Sequence, residues 1–141
     1  MIQKLLNISE RVNIAIHALG YIAAAGSNAS VKQMAKDLKV SETYLAKVLQ
    51  PLVKKGIIHS KRGAKGGFTL AKKPSEITPY ELVIALEGPL PQQACLFATS
   101  ICGDEKCRFR AITAEIRSLV EQMLRKITIA DVKDNLAHFV R

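Results

Sequence analysis

Between Ser30 and Ala71 the chain carries two short helical stripes almost back to back, then two short strands around a glycine-rich turn. Few folds accommodate that order. Ser30-Val31-Lys32-Gln33 reads as a capping box, and Val31, Met34, Ala35 and Leu38 form one narrow apolar stripe that ends near Lys39. Val40-Ser41 follow at once. Ser41 is a candidate N-cap, Glu42 suits the positive end of a helix, and Leu45, Val48, Leu49 and Leu52 repeat the stripe. Pro51 lies inside it without a backbone donor, which predicts a kink or an early end to the regular helix; Gly56 closes the element. Ile57 to Arg62 and Phe68 to Ala71 then flank Gly63-Ala64-Lys65-Gly66-Gly67 as a hairpin. Two short amphipathic helices, a tight turn and a hairpin predict a winged helix-turn-helix.

The flanks fit that centre. Ser9 can cap a first helix in which Val12, Ala15, Ile16, Leu19 and Ile22 keep helical spacing, and Ile14, Ala18 and Tyr21 add a second strip, so burial on more than one side is expected. Gly26 stops it. Thr78-Pro79-Tyr80-Glu81 is a further capping box with proline at the first helical position, Leu82, Val83 and Leu86 supply a core face, and Gly88-Pro89 ends it. From about Arg108, the series Phe109, Ile112, Ile116, Leu119, Met123 and Ile127 alternates steps of three and four, a seam like that of a coiled coil. Thr128-Ile129-Ala130-Asp131 caps one last short helix. The expected architecture is mainly α with a small β-hairpin: a winged helix-turn-helix domain over 1–88, a cysteine-containing loop over 89–107, and a long dimerisation helix plus a short helix over 108–141.

Charge locates the ligand. Of 21 Lys and Arg residues, eight lie between 43 and 75 (Lys47, Lys54, Lys55, Lys61, Arg62, Lys65, Lys72, Lys73), where there is no Asp or Glu. That stretch carries eight of the net nine positive charges, a local footprint suited to a polyanion. With Leu45, Val48 and Leu49 facing inward, Thr43, Tyr44, Ala46, Lys47 and Gln50 fall on the exposed part of the second helix, which a DNA major groove admits. Lys47 can meet a guanine edge or a phosphate, Gln50 an adenine, and Tyr44 a phosphate or thymine methyl; Ser41 and the amides after it can hold phosphate. In the hairpin, Gly63, Gly66 and Gly67 admit close backbone approach, beside Lys61, with Arg62 and Lys65 able to enter a minor groove.

Other classes are disfavoured. Gly63 to Gly67 lacks the Gly-Lys-Ser/Thr ending of a phosphate loop, and His17, His59 and His138 each stand alone, so no enzyme is expected. The apolar run Val12 to Ala25 is interrupted by Asn13 and His17 and is shorter than the ~18 residues a bilayer span needs. Three cysteines, none before residue 95, make no disulfide framework, and a cytoplasmic protein without membrane attachment is expected. Cys95, Cys102 and Cys107, separated by six and four residues, can surround one metal centre; an iron–sulfur cluster, zinc and clusterless thiol chemistry all fit that spacing.

The chain resembles the Rrf2 family of bacterial transcription regulators. The resemblance rests on Tyr44-Leu45, Leu49-Gln50-Pro51-Leu52, Lys61-Arg62-Gly63 and Gly66-Gly67-Phe68, and extends to Ala18-Leu19-Gly20-Tyr21-Ile22-Ala23 and Thr128-Ile129-Ala130-Asp131. It implies a homodimer on a palindromic operator, with C-terminal helices paired and one winged helix on each half-site. It also implies that Cys95, Cys102 and Cys107 ligate an iron–sulfur cluster, [2Fe-2S] or [4Fe-4S], that senses redox, nitric oxide or iron status. The alternative is a clusterless winged-helix repressor governed by thiol oxidation or a protein partner. The family's non-cysteine ligand positions are filled here by Arg110 and Asn13, which leaves Asp104, Glu105, Glu10 and His17 as candidates.

Overall fold

In a computed structural model, which describes residues 8–90 and 107–140, the first helix runs through the centre of the packing. Helix α1 (Glu10–Ala25) begins at Ser9, whose hydroxyl oxygen accepts the Val12 N–H at 3.2 Å and whose proton goes to Glu87 at 2.8 Å. It ends at Gly26, left-handed at φ 64°. Within it only Glu10, Asn13 and His17 are exposed, so burial on several sides is realised. Gly20 is where the last helix lies against it: a Cβ there would sit 2.8 Å from Leu136 Cδ1 and 2.9 Å from Val132 Cγ1.

Helix α2 (Val31–Asp37) starts at Ser30, but the Ser30 side chain makes no capping bond, so the expected box is absent. The helix ends near Lys39 as expected, because Lys39 turns left-handed at φ 56° and Val40 donates to the Ala35 carbonyl at 3.0 Å. Helix α3 (Glu42–Lys54) is capped as expected by Ser41 Oγ, which accepts from Tyr44 N–H at 3.1 Å. Pro51 neither ends nor shortens it. Only one donor is lost, while the Pro51 carbonyl still accepts from Lys55 at 3.0 Å and buried Leu52 anchors the last turn.

Strands β1 (Ile58–Lys61) and β2 (Gly67–Leu70) pair antiparallel, Ile58 opposite Leu70 and Lys61 opposite Gly67. A third segment joins them: Ala29 and Phe68 exchange two backbone hydrogen bonds of 2.9 Å. After a 3-10 turn (Pro74–Glu76), helix α4 (Pro79–Glu87) is capped by Thr78 Oγ1, which accepts from Glu81 N–H at 3.3 Å. The box is only half formed, since the Glu81 carboxylate instead takes Lys72 Nζ at 2.7 Å.

Helix α5 (Arg108–Lys126) buries only Leu124, and its Arg125 guanidinium lies over the Tyr80 ring at 3.6 Å, tying it to α4. Its remaining apolar seam faces outward: Phe109 is 63% exposed, Ile112 51%, Leu119 59% and Met123 55%, with Ile127 40% just beyond the helix end. Helix α6 (Ile129–Leu136) is capped at Thr128, whose N–H and hydroxyl both donate to Asp131 Oδ2 at 2.7 and 2.8 Å. It returns to α1, and Ile129 N–H bonds the Ile77 carbonyl at 2.9 Å, so Leu19, Ile77 and Ile129 share one core with Leu45, Leu49 and Ile58.

Candidate nucleic-acid interface

The α2–turn–α3 unit is held at its base by a polar tie. Tyr21 donates to Asp37 Oδ2 at 2.8 Å, and Gln33 Nε2 reaches both Asp37 oxygens at 3.1 and 3.0 Å. Burial, and then the bond to Asp37, push the Tyr21 hydroxyl up to about 12, while the Gln33 and Tyr21 bonds lower the Asp37 carboxyl. These three side chains fix α2 on α1. Met34 and Ala35 on α2 and Leu45, Val48 and Leu49 on α3 then seat the pair on the core.

On the outer side of α3, Ser41, Thr43, Tyr44, Lys47 and Gln50 are all exposed, as expected, whereas Ala46 is half-buried. Ser41 serves the helix cap, and Glu42 stands at the same end, so an anion there meets a carboxylate as well as free amides. Further along the same helix the exposed cations are Lys47 and Lys54. In the wing, Lys61, Arg62, Gly63 and Lys65 are exposed and Gly66 is partly so. The turn is closed by Gly66 N–H on the Gly63 carbonyl at 2.8 Å. Gly63 stands at φ 111°, and a Cβ on Gly66 would lie 2.6 Å from the Lys61 carbonyl, so both glycines are required by the turn itself.

Helix and wing face one another. Gln50, Lys61, Arg62 and Gly66 line one open cleft of about 410 Å³, with Ser30 and Lys32 at the start of α2 closing it. Those last two residues are absent from the sequence-based site. Lys32 lies outside the 43–75 cluster, and only folding brings it beside the wing. Of the eight cations in that cluster, Lys72 is spent on Glu81; among the described residues the other seven have no carboxylate partner. The wing is also tied to the loop before α2, where Asn28 Nδ2 donates to the Lys65 carbonyl at 2.7 Å.

Cys107 is the N-cap of α5, half-buried, with a free thiol that makes no capping bond. Cys95 and Cys102, with Asp104 and Glu105, lie outside the described residues. Of the other candidate ligands, Glu10 and His17 are exposed on α1, and His17 Nδ1 is engaged by the Asn13 carbonyl at 2.7 Å; Arg110 is exposed one turn into α5. Among the described residues no three His, Cys, Asp or Glu side chains come together, and no helix is long and apolar enough to cross a membrane.

Residues 8–135 match the Rrf2 family profile, described as an iron-dependent transcriptional regulator. The chain is similar to the HTH-type transcriptional regulator NsrR of Shouchella clausii, 30% identical over 90% of this chain and 88% of the relative. CymR of Bacillus subtilis is 32% identical over 73% of this chain and 70% of its own length. Its solved structure, described as that of the global cysteine regulator, overlays with a TM-score of 0.76 at 28% identity, covering 91% of this chain and 96% of that one. The structure of T. potens IscR overlays at 0.70 with 27% identity, covering 91% and 86%. Sequence, fold and relatives agree, and the chain belongs to the Rrf2 family, whose members are transcription regulators rather than enzymes.

Proposed function

We propose that this chain is a homodimeric, sequence-specific DNA-binding regulator that reads a palindromic operator. The observation that carries the reading is the cleft shared by α3 and the wing, lined by Lys32, Lys61 and Arg62, none of which has a carboxylate partner among the described residues. In this reading α3 enters the major groove and presents Thr43, Tyr44, Lys47 and Gln50 to base edges and phosphates, with Ser41 at the backbone. The wing lays Lys61, Gly63 and Gly66 along the sugar–phosphate chain and directs Arg62 and Lys65 at the adjacent minor groove. The outward seam of α5 supports a two-fold pairing of long helices, which sets two winged units, each within 1–88, on two half-sites. Reduced cysteines and a DNA ligand suit action in the cytoplasm.

The cysteines are the proposed sensor. Three thiols within thirteen residues (95–107) suit iron–sulfur ligation, and Cys107 fits the set because its side chain is neither buried in the core nor used as a cap. Cys95, Cys102 and Cys107 would hold the cluster, with a fourth, non-cysteine ligand. Bound there, the cluster supplies iron that reacts with oxidants or nitric oxide. Cys107 begins α5, so whatever orders that residue bears on the start of the dimer seam. The second reading is a clusterless repressor controlled by thiol oxidation or a protein partner; the chain is similar to CymR as well as to NsrR.

Anaerobic purification, a visible absorbance spectrum, and iron and sulfide analysis separate the two. The cluster reading expects iron and sulfide, and expects any single Cys→Ser change to abolish the visible bands and alter DNA affinity. Zinc or no metal after attempted reconstitution with iron and sulfide would refute the cluster reading. DNA affinity equal with and without the cluster would remove the switching role alone.

A further inference from the structure

A two-stranded ribbon with four residues per strand is too small to hold its own geometry in water. Its base is fixed by the Ala29–Phe68 pair, an approach that Gly67 makes possible: a Cβ there would stand 2.3 Å from the Ala29 carbonyl oxygen. The turn lies further out, where Arg62 and Lys65 project. Among the described residues a single side chain from the rest of the fold hydrogen-bonds to that turn. Asn28, in the loop between α1 and α2, donates its amide to the Lys65 carbonyl at 2.7 Å. The orientation of the amide is settled by this contact, because the reverse would set two carbonyl oxygens face to face. The consequence is that Asn28 Oδ1 is buried and, among the described residues, has no hydrogen-bond partner. An orphaned buried acceptor is a cost that folding alone gives no reason to keep.

We propose that Asn28 is a positioning residue for DNA readout: by holding the Lys65 backbone to the helix-turn-helix, it fixes the span between the wing cations and Gln50 across the cleft. The inference rests on the DNA-binding reading given above. Asn28 touches no DNA in this account. It acts by removing the freedom of the wing tip before binding, so that the ordering is not charged to the complex. Its loss leaves every cation in place, so attraction to arbitrary duplex persists, and the register between wing and recognition helix is what suffers.

The test is a double-mutant cycle read by fluorescence anisotropy, on an operator selected from a random duplex pool and on a scrambled duplex. Loss of one ordinary hydrogen bond corresponds to roughly three- to tenfold in affinity. Asn28→Ala is therefore expected to weaken operator binding by about that factor, leave scrambled-duplex binding and the salt slope unchanged, and speed hydrogen exchange of the 63–66 amides. In the Arg62→Ala/Lys65→Ala background the same change is expected to cost nothing further. A structural defect would instead lower affinity for both duplexes and add fully to the wing mutations, and that result overturns the proposal. So does operator affinity unchanged by Asn28→Ala while Arg62→Ala weakens it. If Arg62→Ala and Lys65→Ala are themselves silent, the wing reading fails, and with it the premise.

Discussion

Replacing Leu119 by Lys tests whether the outward seam of α5 is a subunit interface. Leu119 is 59% exposed in the single chain, and its neighbours Ile112 and Met123 on the same seam are 51% and 55% exposed. Full burial of a leucine side chain is worth roughly 1.5–3 kcal/mol, so covering the exposed part of this one contributes about 1–1.8 kcal/mol per chain. Two-fold symmetry counts it twice, about 2–3.5 kcal/mol per dimer, which raises the dissociation constant roughly 30- to 370-fold. Adding Ile116→Lys brings a second pair of like charges into the seam. We expect the double variant to sediment as a monomer at micromolar concentration where the parent is a dimer. Its circular dichroism should stay native, because neither side chain belongs to the buried core. It should bind DNA poorly, since one winged unit alone reads half a site. A monomeric parent at micromolar concentration, or a double variant that remains dimeric, refutes the argument.

The wing, the core and the polar tie give three more predictions. Arg62→Ala should cost about 1–3 kcal/mol on the operator, while Lys65→Ala should lower affinity for all duplexes and flatten the salt dependence; anisotropy titrations at several salt concentrations decide this. Gly20→Val puts side-chain atoms against Leu136 and Val132, already under 3 Å from a bare Cβ, and should destabilise by roughly 1–3 kcal/mol, seen as a lowered Tm. An unchanged Tm would mean that α6 does not pack there. Tyr21 has its pKa raised from 10.0 to about 12, so its stabilising contribution is complete below pH 10 and lost as pH rises through 12. Tyr21→Phe should be less stable than the parent at neutral pH, and the gap should narrow in that alkaline window; a gap independent of pH contradicts the tie.

Much of the fold is legible because its signals are local. Ser9, Ser41, Thr78 and Thr128 each sit next to the helix they start, and the Gly63–Gly67 turn needs only its own glycines. The seam of α5 is legible because its helical spacing is written in one continuous stretch, and its leucine and methionine do lie exposed. Failures occur where another side chain takes a member of a capping box. Glu81 leaves its box for Lys72, and Gln33 leaves that of Ser30 for Asp37. Pro51 is tolerated because Leu52 is held by the core, a tertiary effect that helix periodicity does not contain. The site behaves the same way. Lys47, Gln50, Arg62 and Lys65 stand out in the sequence by charge or helical phase, whereas Lys32 and Asn28 join the candidate site only once the chain folds, Lys32 at the rim of the cleft and Asn28 through its bond to the Lys65 carbonyl.

Selection from a random duplex pool by the purified protein tests the DNA-reading unit most directly. The account predicts enrichment of a two-fold symmetric sequence whose half-sites lie about one helical turn apart, centre to centre, with enrichment lost for the Arg62→Ala/Lys65→Ala variant. A pool that stays random after repeated rounds, or that enriches equally for parent and variant, would contradict it.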